Sequence, residues 1–267
     1  MKRVDIVNAI YNAYDEDARL TKSRNGQLES ITTMRYIHAL LPEGAKVLEV
    51  GAGTGRYSVA LAREGYDVSA VELVERNLET LRENAKGLEN LSATQGDATN
   101  LGAFPDDAFD AVLALGPMYH LYAPEDWNRA LDEAIRVTKP GGLIFTAFLS
   151  VYAILYANYL SGNFREGLAE NFDGDFRVRH FEEQGFTGFD ISEFEALFDG
   201  KPVREIALAG TDSVLELAKR MNGFSLPDEE FEAFVRYHLH TCEIRELLGS
   251  HSHLLHICRK QDGRTNR

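Results

Sequence analysis

The sequence predicts an α/β protein whose sheet is mostly parallel and is covered by helices on both faces. Between about residues 45 and 149, short apolar runs alternate with segments of helical periodicity, which is the pattern of consecutive β–α units. Three glycines alternate in Gly51-Ala52-Gly53-Thr54-Gly55, directly after the first apolar run. The apolar fraction of 44% in 267 residues is sufficient for a packed core.

The elements are predicted in the following order. Strands are expected at residues 46–50, 68–72, 91–95, 111–115 and 143–149, and helices at 57–63, 77–84 and 127–137. A helical region precedes them at residues 6–41 and ends before Pro42. After residue 149 the alternation stops: residues 152–186 are aromatic and mixed, 203–210 are strand-like, helical material continues to about 248, and 253–259 form a last strand.

Composition and charge exclude several classes of function. The formal net charge of −14 repels phosphate backbones, so we expect no nucleic-acid partner. The two cysteines, Cys242 and Cys258, form no CxxC motif, which is typical of a reducing compartment, and no signal peptide is recognisable at the N-terminus. We therefore predict a cytoplasmic protein.

One uncharged stretch is long enough to span a bilayer and needs a separate interpretation. Residues 142–160 contain no charged side chain, but Pro140-Gly141-Gly142 predicts a turn, followed by a buried strand and the start of a helix. Three tyrosines and Asn158 are unfavourable in hydrocarbon. We predict no membrane partner.

The glycine cluster predicts a ligand that approaches the backbone closely. In a parallel sheet, ligands bind at the carboxyl ends of the strands, near the point where strand order reverses. A dinucleotide site expects GxGxxG, but Arg56 occupies the third glycine position, and the motif reads GxGxG instead. Acidic residues are expected along the same edge of the sheet, where the strands have their carboxyl ends. They are Glu49 before the loop, Glu72 at the end of the second strand and Asp97 after the third.

This combination of motifs resembles the class I S-adenosylmethionine-dependent methyltransferases over about residues 45–149. Asp110 at the start of the fourth strand and KPGGLIF at residues 139–145 complete the pattern. The resemblance implies a Rossmann-like, seven-stranded sheet with an antiparallel last strand, and S-adenosylmethionine as the cofactor across strands one to three. The implied cofactor-binding residues are Glu49, Gly51, Ala52, Gly53, Gly55, Glu72, Leu73, Asp97, Ala98 and Leu115.

We predict four segments. Residues 1–42 form an N-terminal helical lid, 43–150 the cofactor-binding core, 151–190 an inserted substrate cap, and 191–267 the C-terminal part of the core.

The predicted acceptor site lies after the fourth strand, in LGPMYHLY at residues 115–122. Gly116-Pro117 ends the strand and directs Tyr119 and His120, the candidate catalytic residues, toward the reactive end of the cofactor. Similar GP-x-YHL segments occur in bacterial small-molecule methyltransferases. His120 titrates in the range of a general base, although a packing or capping histidine remains the alternative. The candidate substrate-binding residues are Tyr11, Tyr14, Arg19, Tyr119, His120, Tyr152 and His253.

Two histidine pairs raise the question of a metal. His238 and His240, like His251 and His253, place two imidazoles on one face if both segments are strands, a spacing that zinc sites use. No cysteine–histidine cluster accompanies them, so we predict no metal site.

These observations together predict methyl transfer from S-adenosylmethionine to a small organic acceptor. A protein that binds S-adenosylmethionine without catalysis is the first alternative. A nicotinamide-dependent oxidoreductase is the second, and Arg56 disfavours it.

Overall fold

The computed structural model describes residues 3–13, 17, 19–181 and 184–262. The N-terminal helices are α1 (Arg3–Ala13), α2 (Arg19–Lys22) and α3 (Arg24–Leu40). The core that follows contains β1 (Lys46–Val50), α4 (Arg56–Arg63), β2 (Asp67–Glu72), α5 (Glu75–Asn84), β3 (Leu91–Gln95), β4 (Phe109–Ala114), a 3₁₀ turn (Pro117–His120), α6 (Pro124–Val137) and β5 (Thr138–Leu149). The remaining elements are α7 (Val151–Tyr159), α8 (Phe164–Asn171), α9 (Ile191–Ala196), β6 (Val203–Gly210), α10 (Leu215–Ala218), α11 (Asp228–Thr241), α12 (Arg245–Leu248) and β7 (His253–Lys260).

Seven strands of the described residues form one sheet in the order β3-β2-β1-β4-β5-β7-β6. Neighbouring strands from β1 to β5 pair in parallel, and β7 is antiparallel to both β5 and β6. The predicted fold class, including the antiparallel last strand, is confirmed. Strand order reverses between β1 and β4, so the crevice for a ligand opens at the carboxyl ends of these two strands.

The central strands are largely apolar because both faces of the sheet are covered. Val47 and Leu48 point to opposite faces, as successive strand residues must, and both are fully buried. Val47 packs in a cluster that includes Leu61 of α4, and Leu48 packs in a cluster that includes Ala134 of α6.

The Pro140-Gly141-Gly142 segment differs from its prediction. We expected a turn that ends before a strand at residue 143, but β5 already begins at Thr138. Phe109 pairs with Thr138 and Ala111 pairs with Leu143, so residues 139–142 bulge out of the ladder, with Gly141 at φ +77°.

The N-terminal helices pack against the C-terminal part of the chain. Leu28 of α3 is buried together with Leu215 of α10 and Phe231 of α11. Segments distant in sequence thus share a small core of their own. The division into four segments stays a prediction.

The uncharged stretch at residues 142–160 is divided between the end of β5 and α7. Within the described residues, none of the helices combines the length and the apolar character that crossing a bilayer requires.

Replacing Gly55 with alanine is expected to lower the free energy of unfolding by about 2–4 kcal/mol. Gly55 has φ +84°, and an added Cβ would lie 2.7 Å from Cγ of the buried Leu81. Gly44→Ala is the matched control, because Gly44 has φ +69° but no atom within 4 Å of the added Cβ, and we expect a loss of about 1 kcal/mol. Urea unfolding measures the free energy of unfolding of both variants. Equal losses of stability in Gly55→Ala and Gly44→Ala would contradict the argument that the contact with Leu81 is destabilising.

Candidate functional site

The glycine loop turns sharply across the end of β2. Gly51 has φ +72° and Gly53 has φ +57°. The N–H groups of Gly51 and Ala52 both donate to the carbonyl of Val71, at 2.8 and 3.0 Å. A Cβ on Gly51 would lie 3.0 Å from the ring of Pro117, so the loop and the turn after β4 pack too closely for a side chain.

Glu72 joins the loops after β1 and β2. Its Oε2 accepts the N–H of Gly53 at 2.7 Å, and its Oε1 accepts the N–H of Val74 at 2.9 Å. Burial raises the pKa of this carboxyl, although the two backbone bonds oppose the shift. The side chain of Asn77 also donates to this carboxylate.

Glu49 is a buried acid without a cationic partner among the described residues. Burial raises its pKa to about 8, and the hydroxyl of Ser58, which donates to Oε2, only partly offsets this effect. The nearby charge of Glu72 raises the pKa of Glu49 further. Within the described part of the chain, Glu49 forms no salt bridge. A cationic group of a ligand would stabilise the ionised form.

Asp97 contacts the first helix. Its Oδ2 accepts a hydrogen bond from the guanidinium of Arg3, and its Oδ1 accepts the N–H and hydroxyl of Thr99 at 3.0 and 2.9 Å. Burial raises the pKa of Asp97, but the bonds from Thr99 and the charge of Arg3 outweigh it and lower the pKa below its usual value. Helix α1 therefore lies over the end of β3.

A cavity of about 850 Å³ joins these residues to the turn after β4. Of the predicted cofactor-binding residues, those that line it are Glu49, Gly51, Ala52, Gly53, Glu72, Leu73, Asp97, Ala98 and Leu115. Of the predicted substrate-binding residues, Tyr11, Arg19, Tyr119, His120 and His253 line it. Arg56, the residue that distinguishes this loop from a dinucleotide motif, lines it as well.

Two predicted residues lie elsewhere, and a third falls outside the described part of the chain. Gly55 faces Leu81 rather than the cavity. Tyr152 is 36% exposed, and its hydroxyl donates to Asp190 at 2.8 Å. Tyr14 lies outside the described residues.

His120 is held on both of its ring nitrogens. Nδ1 lies 2.9 Å from the carbonyl of Gly185 and must donate to it, so Nε2 accepts the hydroxyl of Tyr11 at 3.0 Å. Burial lowers the pKa of His120 to about 4. These contacts attach α1 to the turn after β4. A role for His120 as a base stays a prediction, and its contacts favour positioning.

A second histidine lies in a buried network of charges. Nδ1 of His253 is 2.9 Å from Oδ2 of Asp212, and Nε2 is 4.0 Å from Oε2 of Glu29. Arg19 binds both oxygens of Glu29, at 2.8 and 2.9 Å. Burial lowers the pKa of His253, but the charge of Glu29 and the bond to Asp212 outweigh it and raise the pKa above its usual value.

Buried polar atoms around the cavity lack hydrogen-bond partners among the described residues. They are Oδ1 of Asn25, Oγ1 of Thr54, the hydroxyl of Tyr119 and Oε1 of Gln184. Unsatisfied buried polar atoms are rare in native proteins and are costly where they occur. Their concentration here indicates that a polar ligand belongs in the cavity.

Arg3, Glu29 and Asp212 were not anticipated from the sequence. Each lies in a segment without a motif, and each reaches the site only because distant elements meet there. A buried acid on an otherwise amphipathic helix is the one signal that could have identified Glu29.

The histidine pairs do not form the arrangement that a metal would need. The assumption that His238 and His240 share a strand face was wrong, because both lie in α11, where His238 is buried and His240 exposed. The Nδ1 of His251 accepts the N–H of Ser213 at 2.8 Å. In the part of the chain that the structure describes, no group of three or more potential ligands could hold a metal ion.

Comparisons with known proteins agree with this geometry. A family model described as "Methyltransferase domain" matches residues 47–142. A demethylmenaquinone methyltransferase from Clavibacter sepedonicus is 36% identical over 135 residues, which are 51% of this chain and 53% of that protein. The chain thus spans about half the length of this relative. A demethylmenaquinone methyltransferase from Staphylococcus aureus (strain JH9) is 30% identical over 178 residues, covering 57% of this chain and 72% of that protein.

A solved structure extends the similarity to nearly the whole chain. It is an S-adenosylmethionine-dependent methyltransferase from Thermotoga maritima, described as a possible histamine N-methyltransferase. It superimposes with a TM-score of 0.59 at 18% identity, covering 98% of this chain and 100% of the other. At this identity the similarity concerns the fold. With the motifs and the relatives taken together, the chain belongs to the class I S-adenosylmethionine-dependent methyltransferases.

Proposed function

We propose that this chain transfers a methyl group from S-adenosylmethionine to a small-molecule acceptor inside the cavity. The supporting observation is that one cavity contains two chemically distinct ends. The glycine loop with Glu49, Glu72 and Asp97 lies at one end, and Tyr119 and His253 lie at the other.

The residues at the loop end fit the cofactor. Bound S-adenosylmethionine would supply an electrophilic methyl group on a cationic sulfur. The buried carboxyl of Glu49 is a compensating charge for the cationic part of such a molecule. The hydroxyl of Thr54, which has no partner among the described residues, offers a further contact. Glu72 and Asp97 line the cavity at the positions where the family binds the hydroxyl and amino groups of the cofactor.

The other end fits a small acceptor. Helices α1 and α7 both contribute to the lining, so the cavity is partly enclosed, and about 850 Å³ is within the usual range for small-molecule sites. The net charge of −14 disfavours nucleic acid as the acceptor. The names of the relatives, demethylmenaquinone methyltransferases, are consistent with a small molecule. We also propose a cytoplasmic location, because both cysteines are buried and unpaired.

Incubation with S-adenosylmethionine and fractionated metabolites is expected to release S-adenosylhomocysteine in at least one fraction. Mass spectrometry measures the release. The matched control is Gly51→Val, whose side chain would meet Pro117 and close the loop, and we expect it to release none. Tight binding of S-adenosylmethionine without release in any fraction would favour a binding protein instead.

Affinity for S-adenosylmethionine is expected to rise by about one to two orders of magnitude between pH 6 and pH 8. Glu49 has a pKa of about 8, and a cationic ligand binds the ionised form, so protons are released on binding below that pH. Isothermal titration calorimetry measures this dependence. Glu49→Gln should bind about tenfold more weakly or worse at pH 8 and lose most of the pH dependence, and any slope it retains reports the ligand's own amino group. If affinity changed with pH equally in the wild type and in Glu49→Gln, Glu49 would be excluded as the group that causes the pH dependence.

The double variant Arg3→Gln/Tyr11→Phe is expected to release S-adenosylhomocysteine about tenfold faster. It removes the contacts of α1 to Asp97 and His120, and a lid that is less firmly attached opens more readily. Stopped-flow fluorescence measures dissociation. Ala9→Gln, on an exposed position of the same helix, is the control. If S-adenosylhomocysteine left the double variant as slowly as it leaves Ala9→Gln, a role for α1 as a lid would be contradicted.

A further inference from the structure

We infer that His253, oriented by Asp212, accepts the proton of the methyl acceptor, whose nucleophile is a hydroxyl or amino group hydrogen-bonded by Tyr119. This inference rests on the proposed function and deepens it, because it assigns the chemical class of the acceptor. His253 lies at the start of β7, and Asp212 lies between β6 and α10.

Asp212 fixes the orientation and tautomer of the imidazole. Its side chain is fully buried, and its Oδ1 accepts the N–H groups of Ser252 and His253 at 2.9 and 3.1 Å. Its Oδ2 faces Nδ1 of His253 at 2.9 Å. A carboxylate held in this way accepts a proton from Nδ1, so the neutral imidazole carries its lone pair on Nε2.

Nε2 remains available to a ligand. The contact at 4.0 Å to Oε2 of Glu29 is too long for a hydrogen bond, and His253 lines the cavity. His120, by contrast, uses both ring nitrogens for Tyr11 and Gly185. The imidazole that can take a proton without first breaking a hydrogen bond is therefore that of His253.

Tyr119 supplies the second contact. Its ring lies 5.9 Å from the ring of His253, edge to face, and its buried hydroxyl has no partner among the described residues. Burial raises the pKa of Tyr119 well above its usual value, so the hydroxyl stays protonated and can donate. A hydroxyl oxygen that gives its proton to His253 can accept this bond with one lone pair and attack with the other. An amino nitrogen can instead donate an N–H to the oxygen of Tyr119 and keep its lone pair for the attack.

The charged groups around His253 determine how it responds to pH. Asp212 faces Nδ1 from the loop before α10, Glu29 faces Nε2 from α3, and Arg19 on α2 neutralises part of the charge of Glu29. His251 lies beyond Asp212, with Nδ1 3.9 Å from Oδ1. The two acids favour the protonated imidazole, and the base form therefore appears only as pH rises through the raised pKa of His253.

The methyl transfer needs no reactant besides the acceptor, S-adenosylmethionine and the imidazole of His253. The acceptor's lone pair forms a bond to the methyl carbon, and the carbon–sulfur bond breaks with its electron pair remaining on sulfur. The proton of the hydroxyl or amino group moves to Nε2 of His253 and later leaves to solvent. A thiol, with a pKa near 8.5, already supplies a few per cent of strongly nucleophilic thiolate at neutral pH and has less need of such a base.

The test uses the metabolite fraction that gives release with the wild-type protein. We expect His253→Gln to lower kcat by about 100-fold or more while affinity for S-adenosylmethionine stays within about twofold. Asp212→Asn should lower kcat to a similar extent, because an amide N–H facing Nδ1 shifts the ring proton to Nε2. His240→Gln, at an exposed position outside the site, is the matched control.

Two readouts separate a base from a structural histidine. Nitrogen NMR of the labelled, S-adenosylhomocysteine-bound protein should show the Nδ1–H tautomer of His253 in the wild type and the Nε2–H tautomer in Asp212→Asn. Glu29→Gln removes an anion, lowers the pKa of His253, and should move the rising limb of the kcat/KM profile to lower pH without changing the tautomer.

The possible results are distinct. Release by His253→Gln within tenfold of wild type at every pH, or an Nε2–H tautomer in the wild type, would overturn the inference and leave the proposed function intact. If Asp212→Asn does not fold, His253→Gln and Glu29→Gln still decide it. Methylation of carbon or sulfur in the product overturns the assigned acceptor class. Failure of the wild type to release product from any fraction would overturn the proposed function itself, and the assignment of a base with it.

Discussion

The burial of four carboxyl groups around one cavity is the constraint on which the rest of the site depends. Glu29, Glu49, Glu72 and Asp212 are all buried, and an ionised carboxylate removed from water must find compensation nearby. Each acid is compensated differently. Glu72 accepts backbone N–H groups, Glu29 binds Arg19, and Asp212 binds backbone N–H groups and His253. Glu49, by contrast, accepts hydrogen bonds from the hydroxyl and the backbone N–H of Ser58 and has no cationic partner among the described residues.

This difference gives the two ends of the cavity different electrostatic characters. At the acceptor end the chain itself supplies partners for the buried acids, because Arg19 binds Glu29 and the imidazole of His253 faces Asp212. Its groups are thus fixed in orientation before any ligand arrives, which is the condition for catalysis by positioning. The loop end keeps an acid whose charge is unfavourable without a cation. Binding of a cationic ligand there would relieve a cost that the folded protein otherwise bears, and the raised pKa of Glu49 expresses that cost.

The sequence predicted the loop end more completely than the acceptor end, for a physical reason. The acids of the loop end lie at or just after the carboxyl ends of consecutive strands. Because parallel strands bring these ends to one edge of the sheet, Glu49, Glu72 and Asp97 could be placed together from their spacing alone. The acceptor end is built from α2, α3, the turn after β4, and the segments before α10 and β7. Nothing local in the sequence indicates that Glu29 meets His253, which is more than two hundred positions away. His253 could be suggested only because an antiparallel last strand begins at the same edge.

The limits of local sequence pattern also explain why the prediction for His238 and His240 was wrong. A spacing of two residues indicates a shared face only in a strand, and the acidic first turn of α11 with Asp228 and Glu229 is a helix-start signal that overrides it. Local pattern and tertiary placement also diverge in α1, whose sequence shows only modest amphipathicity. Arg3 and Tyr11 are eight residues apart, or about 12 Å along the helix axis, so this helix touches Asp97 at one end of the cavity and His120 toward the other. A single helix therefore spans both ends, and a ligand bound at either one changes the surface on which α1 rests.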